Sequence, residues 1–208
     1  MKTILVMLLL ITKAHAFYPV DSNNEHSCTG KNQAQMNQAI YKMADVNNWA
    51  NIIGIPDQSF DLFSAKGVKQ NRLARTGDLI RIKLPMDPTR GDYWVKVEGF
   101  RREGNFSALR VRPTRDPFLP YEDHVTDHFF TDRAQNVFSV SLKNGILKVR
   151  VHGTGEEANT TQARSYLDAQ RNQIVASMGW GYNAKGEEMY GFQSMVWKIF
   201  ARKIAGCK

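Results

Sequence analysis

The sequence predicts one α+β domain with an N-terminal helix, a central antiparallel sheet of about five strands, and two C-terminal helices. Apolar residues recur at helical spacing near the start of the chain, alternate with polar residues through its middle, and return to helical spacing near its end. The chain has 208 residues, of which 42% are hydrophobic, and this suits a single domain with its own core.

Residues 1–16 have the three parts of a secretory signal. Lys2 precedes an apolar run at 4–11, and Ala14, His15 and Ala16 form the small-x-small pattern that signal peptidases cleave. The apolar run is far shorter than the roughly twenty residues that a membrane-spanning helix needs. We therefore expect a cleaved signal peptide at 1–16, a single secreted or periplasmic domain at 17–208, and no transmembrane segment in the mature protein.

The two cysteines, Cys28 and Cys207, lie near opposite ends of the mature chain. In an oxidising compartment an isolated pair of this kind is most simply a disulfide, with two free thiols or an intermolecular bridge as the alternatives. A disulfide between them predicts that the chain ends meet in space.

Helical spacing predicts the first helix at 32–53, with a potential break at Asn47 and Asn48 and a stop at Gly54. Before it, 17–30 is polar and is expected to be an extended arm, while the pattern at 56–75 does not decide between a short helix and a loop. Near the end, Asn159 and the two threonines after it can cap a helix with Leu167 and Ile174 on its core side. The last predicted helix covers 187–204.

Strand alternation is clear at 79–84, 93–100 and 106–112, which short turns join into a meander. A meander of this kind can curl into a small barrel. The runs 137–142 and 146–152 flank Asn144 and Gly145, the strongest hairpin signal in the chain. Three prolines make the segment at 113–131 an irregular connector.

The densest group of potential metal ligands lies in that connector: His124, Asp127 and His128, with Asp132 nearby. On a helix, residues four apart share a face, so the two histidines could bind one metal ion with an aspartate completing the site. This pattern predicts a metal-dependent hydrolase, although Asp127 stands where an inverted metalloprotease motif carries Glu. The upstream prolines favour an extended backbone, which separates the histidines and predicts surface or hydrogen-bonding roles instead.

A second group, His152 with Glu156, follows the predicted hairpin and includes Gly153 and Gly155. A histidine and a carboxylate can act as acid and base, but glycines after a strand are more typical of a turn. There is no nucleophile elbow, P-loop or dinucleotide fingerprint, so we expect no cofactor.

Basic residues outnumber acidic ones, 28 to 20, and the formal net charge is +8. The meander could present part of this charge on one sheet face as a site for an anionic polymer or a carbohydrate, while a merely solvated face is the alternative. The candidate binding residues are Arg81, Lys83, Lys96, Arg110 and Arg112. Export makes nucleic acid a poor expectation as the main target.

The favoured interpretation is therefore an exported, non-enzymatic binding module for an anionic or carbohydrate partner at a cell envelope or surface, with the hydrolase as its alternative. The last helix is basic and aromatic, like a membrane-surface helix, but its aromatic stripe is more typical of a core element. Asn105 and Asn159 match the acceptor pattern for N-glycosylation in a eukaryotic host.

Overall fold

The computed structural model describes residues 20–84, 91–177, 180–182, 188–190 and 192–207, so the predicted signal peptide lies outside it. One seven-stranded antiparallel sheet has the strand order β1-β7-β6-β5-β4-β3-β2. Its strands are β1 Val20–Cys28, β2 Ser59–Phe63, β3 Leu79–Lys83, β4 Tyr93–Glu103, β5 Phe106–Pro113, β6 Gln135–Lys143 and β7 Ile146–Glu156. A separate two-stranded ladder joins β8 Trp180–Tyr182 to β9 Glu188–Tyr190.

Four α-helices lie in the described part of the chain: α1 Gln33–Ala44, α2 Trp49–Ile53, α3 Tyr166–Ser177 and α4 Phe192–Ala205. The side chain of Asn32 caps α1 by accepting a hydrogen bond from Gln35 N at 3.1 Å, and the Gln35 side chain accepts one from Asn32 N. A 3₁₀ turn at Val46–Asn48 separates α1 from α2, at the predicted break. Gly54, with φ +76°, ends α2 in the left-handed conformation.

The α+β class and the antiparallel sheet are confirmed, but the sheet has seven strands instead of about five. The predicted N-terminal arm is strand β1, and the undecided segment at 56–75 contains β2. The sheet is also open, with β1 and β2 as its edges, so the prediction of a small barrel is wrong. Strand β1 escaped detection because its buried side carries polar residues, including Asn24, which is only 1% exposed.

Helix positions near the C-terminus also differ from the prediction. Helix α3 begins at Tyr166, where Asp168 N donates to Ser165 Oγ at 3.1 Å, and not directly after Asn159. Leu167 and Ile174, predicted to face the core, are 78% and 62% exposed. Helix α4 begins at Phe192, five residues later than predicted, because 188–190 forms β9 instead.

The main core lies between the sheet and the layer formed by α1, α2 and α4; we call the covered side of the sheet the inner face. Trp49 of α2 packs against Phe138 of β6, with ring centroids 4.8 Å apart, and against Phe200 of α4 at 5.1 Å. Helix α4 therefore uses its aromatic stripe to form the core. None of the helices in the described ranges is long and apolar enough to span a membrane.

The predicted disulfide between Cys28 and Cys207 is confirmed. It joins the end of β1 to the residue that follows Gly206, across a sequence separation of 179, with the two Cα atoms 5.8 Å apart. A structural disulfide of this kind fits an oxidising compartment.

Candidate functional site

The two histidines of the predicted metal cluster lie in different environments. His124 is exposed and has a left-handed backbone with φ 63°. His128 is 4% exposed, its ring stacks on Phe129 with centroids 4.2 Å apart, and its Nδ1 accepts a hydrogen bond from Phe130 N at 3.0 Å. Burial lowers the pKa of His128 to about 3, so the ring is a neutral, packed group at physiological pH.

Asp127, the third residue of that cluster, is held by other groups. Its carboxylate accepts from Arg164 Nε at 2.8 Å and Nη2 at 3.0 Å, and from Asp116 N at 2.6 Å. Within the residues that the structure describes, ligand atoms close enough to share a metal ion occur in one group of three, and it contains none of His124, Asp127 and His128. The fold does not bring these three side chains to a common metal position.

Asn159 holds the connector in place. Its Nδ2 donates to the carbonyl oxygens of Thr126 at 2.8 Å and His128 at 3.0 Å, and its side chain is fully buried. A buried amide that donates to two carbonyls is inaccessible to a glycosyltransferase in the folded protein. Asn105 instead lies exposed in the turn between β4 and β5.

The five candidate binding cations lie on the outer face of the sheet, the side opposite α1, α2 and α4, but they divide into two groups. At the β2–β3 end, Arg81 pairs with Asp61 at 2.8 Å and with Asp92 at 3.5 Å, and Lys83 pairs with Asp92 at 3.4 Å. Burial raises the pKa of Asp61, but hydrogen bonds from Lys69 and Arg81 outweigh burial and lower it. The charges of this first group are therefore largely balanced.

The second group consists of Lys96, Arg110 and Arg112, which we call the cationic cluster. Arg112 Nε lies 2.7 Å from one carboxylate oxygen of Glu98, and Arg110 Nε lies 3.4 Å from the other. Lys96 is directly opposite Arg112 in the β4–β5 ladder, is exposed, and has no ion-pair partner among the described residues. Two arginines thus share one carboxylate, and the lysine opposite Arg112 adds a third positive charge.

A surface of uncharged side chains borders the cationic cluster. In β6, Val137 is opposite Arg110 and is followed on the same outer face by Ser139 and Ser141, all partly exposed. Gln135, at the start of β6, donates to Glu98 Oε2 at 3.1 Å. The cluster therefore lies beside a partly exposed, uncharged strip of β6.

Glu156 is buried, which the sequence pattern did not predict. Its carboxyl group lies on the inner face, 2% of the residue is exposed, and Ser22 Oγ donates to it at 3.2 Å. Burial raises the pKa of Glu156 to about 7. His152 points to the outer face, where its Nδ1 is 3.0 Å from Ser22 O, so the predicted acid–base pair is not assembled.

Two buried amides extend the polar region around Glu156. Asn136 and Ser22 are the partners of Gly153 on the two strands that flank β7, and Asn24 follows Ser22 on the same face. Asn24 Oδ1 accepts from Ser194 Oγ of α4 at 2.7 Å, but Asn24 Nδ2 and Asn136 Oδ1 have no hydrogen-bond partner in the part of the chain that the structure describes. We call Ser22, Asn24, Asn136 and Glu156 the inner polar cluster.

A shallow groove of 650 Å³ lies between α1 and the loop before β3. Its walls include Tyr41, Asp45, Arg72 and Phe100. Arg72 forms two hydrogen bonds, 2.6 and 2.8 Å long, with the buried carboxylate of Asp78. The guanidinium in the groove wall is therefore already committed to a structural ion pair.

No protein-family model matches the chain, and no curated protein matches it. Among solved structures, hypothetical protein jhp0584 from Helicobacter pylori is 13% identical with a TM-score of 0.47, over 76% of this chain and 82% of that one. Protein Ms6760 from Mycobacterium smegmatis is 16% identical with a TM-score of 0.39, over 86% and 88%. Major latex-like protein 151 from Panax ginseng is 12% identical with a TM-score of 0.40, over 75% and 94%. These scores do not assign the chain to a family.

Proposed function

We propose that the protein is an exported, non-enzymatic binding module whose outer sheet face holds a phosphate- or sulfate-bearing polymer through Lys96, Arg110 and Arg112. The observation that carries the proposal is that Arg110 and Arg112 share the single carboxylate of Glu98, while Lys96, opposite Arg112 in the ladder, has no ion-pair partner among the described residues. Within the described ranges Glu98 is the single counter-charge paired with the cluster, so two of the three positive charges on these neighbouring strands are not balanced there.

The arrangement of the guanidinium groups supports an oxyanion ligand. Glu98 orients Arg110 and Arg112 from one side, while their side chains remain 51% and 34% exposed on the other. An arginine held in this way loses little conformational entropy when its remaining N–H groups donate to phosphate or sulfate oxygens. The balanced pairs at Arg81 and Lys83 do not offer this excess charge, so we assign them a supporting role at most.

The composition and the disulfide support a location outside the cytosol and an anionic partner. The formal net charge of +8 becomes +6 when residues 1–16, with Lys2 and Lys13, are removed, and this excess attracts anionic polymers over long range, which raises the rate of encounter. The leader-like segment at 1–16 and the Cys28–Cys207 bond are both expected of a protein that matures outside the cytosol. An anionic polymer of a cell surface or envelope is the partner that fits this combination.

Calorimetric titration with dextran sulfate tests the proposal. We expect Arg110→Gln to weaken binding about tenfold, because one charge-assisted hydrogen bond contributes roughly 1.5 kcal/mol. Arg101→Gln is the matched control, since Arg101 is an exposed arginine of the same strand pair that is bonded to Glu103 and lies outside the cluster. The wild-type affinity should also fall steeply as salt rises.

Two results would contradict the proposal. Equal losses in Arg110→Gln and Arg101→Gln would mean that only net charge matters and that no defined site exists. An affinity that does not respond to salt would mean that the ligand is not held by ion pairs.

A further inference from the structure

The inner face carries a second group of potential ligand atoms at the end of β1. His26 and Cys28 are two residues apart in the strand, so their side chains share a face. Cys207 approaches them from the chain after α4, and a ring nitrogen of His26 and the two Sγ atoms all lie within 4.8 Å of one another. It is the single group of three such ligands in the described ranges.

Contacts other than the disulfide hold these three residues together. The β1–β7 ladder continues through the pairs His26–Val149 and Cys28–Leu147. Lys31 Nζ donates to Gly206 O at 3.1 Å, which fixes the residue next to Cys207. Phe200 and Ile204 anchor the last turns of α4 in the core. Breaking the S–S bond therefore leaves β1 and the end of α4 side by side.

We propose that His26, Cys28 and Cys207 form a redox-gated zinc site that binds Zn²⁺ once the disulfide is reduced. Two thiolates and one imidazole are a ligand set that Zn²⁺ favours, at metal–ligand distances of about 2.3 Å for sulfur and 2.0 Å for nitrogen. Tetrahedral bonds of that length separate two sulfurs by roughly 3.8 Å, which the 5.8 Å Cα–Cα spacing accommodates. The fourth position remains open to water or a ligand.

The gating reaction is an ordinary thiol–disulfide exchange. A dithiol reductant supplies two electrons and two protons, the Cys28–Cys207 bond breaks, two thiols form, and the dithiol becomes a disulfide. Zn²⁺ then displaces the two thiol protons and binds the thiolates together with neutral His26.

The test uses the full mature chain, reduced with a phosphine under anaerobic conditions and titrated with Co²⁺ as a spectroscopic substitute for Zn²⁺. We expect the reduced protein to develop thiolate-to-cobalt charge-transfer and tetrahedral d–d absorption that saturates at a stoichiometric amount of metal and disappears when Zn²⁺ is added. The oxidised protein should develop neither band. Absence of the bands in the reduced protein would overturn the proposal.

Two further measurements keep the test independent of folding. Circular dichroism of the reduced, metal-free protein should retain the signal of the oxidised one, and unfolding on reduction would refute the site because it requires β1 and α4 to stay adjacent.

His26→Ala should weaken Co²⁺ binding at least about tenfold, while His124→Ala, at an exposed histidine elsewhere, should not. Unchanged affinity in His26→Ala would remove the imidazole from the site.

Discussion

The carboxyl group of Glu156 lies over the backbone of Gly153, in the space that a Cβ atom at residue 153 would occupy. Ser22 Oγ borders the same space and donates to the carboxyl group. The absence of a side chain at one strand position therefore creates the room in which an acidic residue is buried.

Replacing Glu156 should change how stability depends on pH. The folded-state pKa of about 7 exceeds the ordinary value of 4.5, so between these pH values the folded state holds a proton that the unfolded state has lost. Stability should fall as pH rises through this window, by at most about 3 kcal/mol. We expect Glu156→Gln to match the wild type near pH 4 and to be more stable at pH 8 in urea denaturation.

Glu157→Gln is the control for that experiment, because Glu157 is partly exposed and pairs only distantly with Arg133, at 3.9 Å. The free energy of unfolding of Glu157→Gln should depend on pH in the same way as that of the wild type. A Glu156→Gln profile that stays parallel to the wild type from pH 4 to pH 8 would show that Glu156 is already ionised in the fold.

A side chain at residue 153 should destabilise the protein. Gly153→Ala places a methyl group against Glu156 and Ser22, and we expect a loss of about 1 to 3 kcal/mol in the free energy of unfolding. Gly99→Ala is the matched strand control, since a Cβ atom there meets nothing within 4 Å. Thermal and urea unfolding of both variants measure the difference, and equal effects would contradict the packing described at Gly153.

His128 should limit stability in acid. Its folded-state pKa of about 3 lies below the ordinary 6.5, so the unfolded state binds a proton that the folded state excludes, and stability is lost as pH falls. Between pH 6.5 and pH 4 the loss should be about 3 kcal/mol. The asparagine in His128→Asn can still accept a hydrogen bond from Phe130 N but cannot ionise. The free energy of unfolding of this variant should therefore fall less than that of the wild type as the pH is lowered.

The comparison variant is His124→Asn, at the exposed histidine of the same connector. Asn tolerates the left-handed backbone at residue 124, so stability should stay the same or rise slightly. If both variants keep the acid sensitivity of the wild type, the source of that sensitivity is not His128.

The Arg72–Asp78 pair should matter more than a surface ion pair. Asp78 has a side chain that is 6% exposed and also accepts from Arg75 N at 2.8 Å. Asp78→Asn removes the counter-charge of a guanidinium that borders the groove and weakens two charge-assisted hydrogen bonds, so it should lower the free energy of unfolding by about 2 kcal/mol. Asp57→Asn, at an exposed residue with φ 61°, should have little effect on the free energy of unfolding. Similar losses in the two variants would show that the Arg72–Asp78 pair contributes no more than a surface carboxylate.

Sequence patterns predicted β3 to β7 but not β2, although Phe60 and Leu62 are buried at alternate positions there. Alternation is clearest in β4 and β7, where Val97 and Val149 face the core while Lys96 and Lys148 beside them are exposed. In β1 the inner positions include Ser22, Asn24 and His26, so the alternation that identifies a half-buried strand is absent. Its pairing depends on β7, far along the chain, and no local pattern reports that contact.

For the candidate site residues, too, a local sequence pattern predicts some positions, while others depend on contacts with distant parts of the chain. Period two predicts that Arg81 and Lys83 share one face of β3 and that Arg110 and Arg112 share one face of β5, and the ladder register places both pairs on the same side as Lys96. The acids that balance part of this face come from other segments, including Asp61 on β2. Period two also predicts that Glu156 shares the outer face with His152, but an irregularity at the end of β7 shifts the register and turns Glu156 inward.

The position of β1 at the edge next to β7 has a consequence for biosynthesis. The ribosome makes β1 before every other strand of the large sheet, yet its hydrogen-bonding partner is the last of the seven to be made. The nascent chain thus emerges with its leading strand unpaired, and long-range closure of this kind is slow. Strand β1 can therefore join the large sheet only after β7 has been translated.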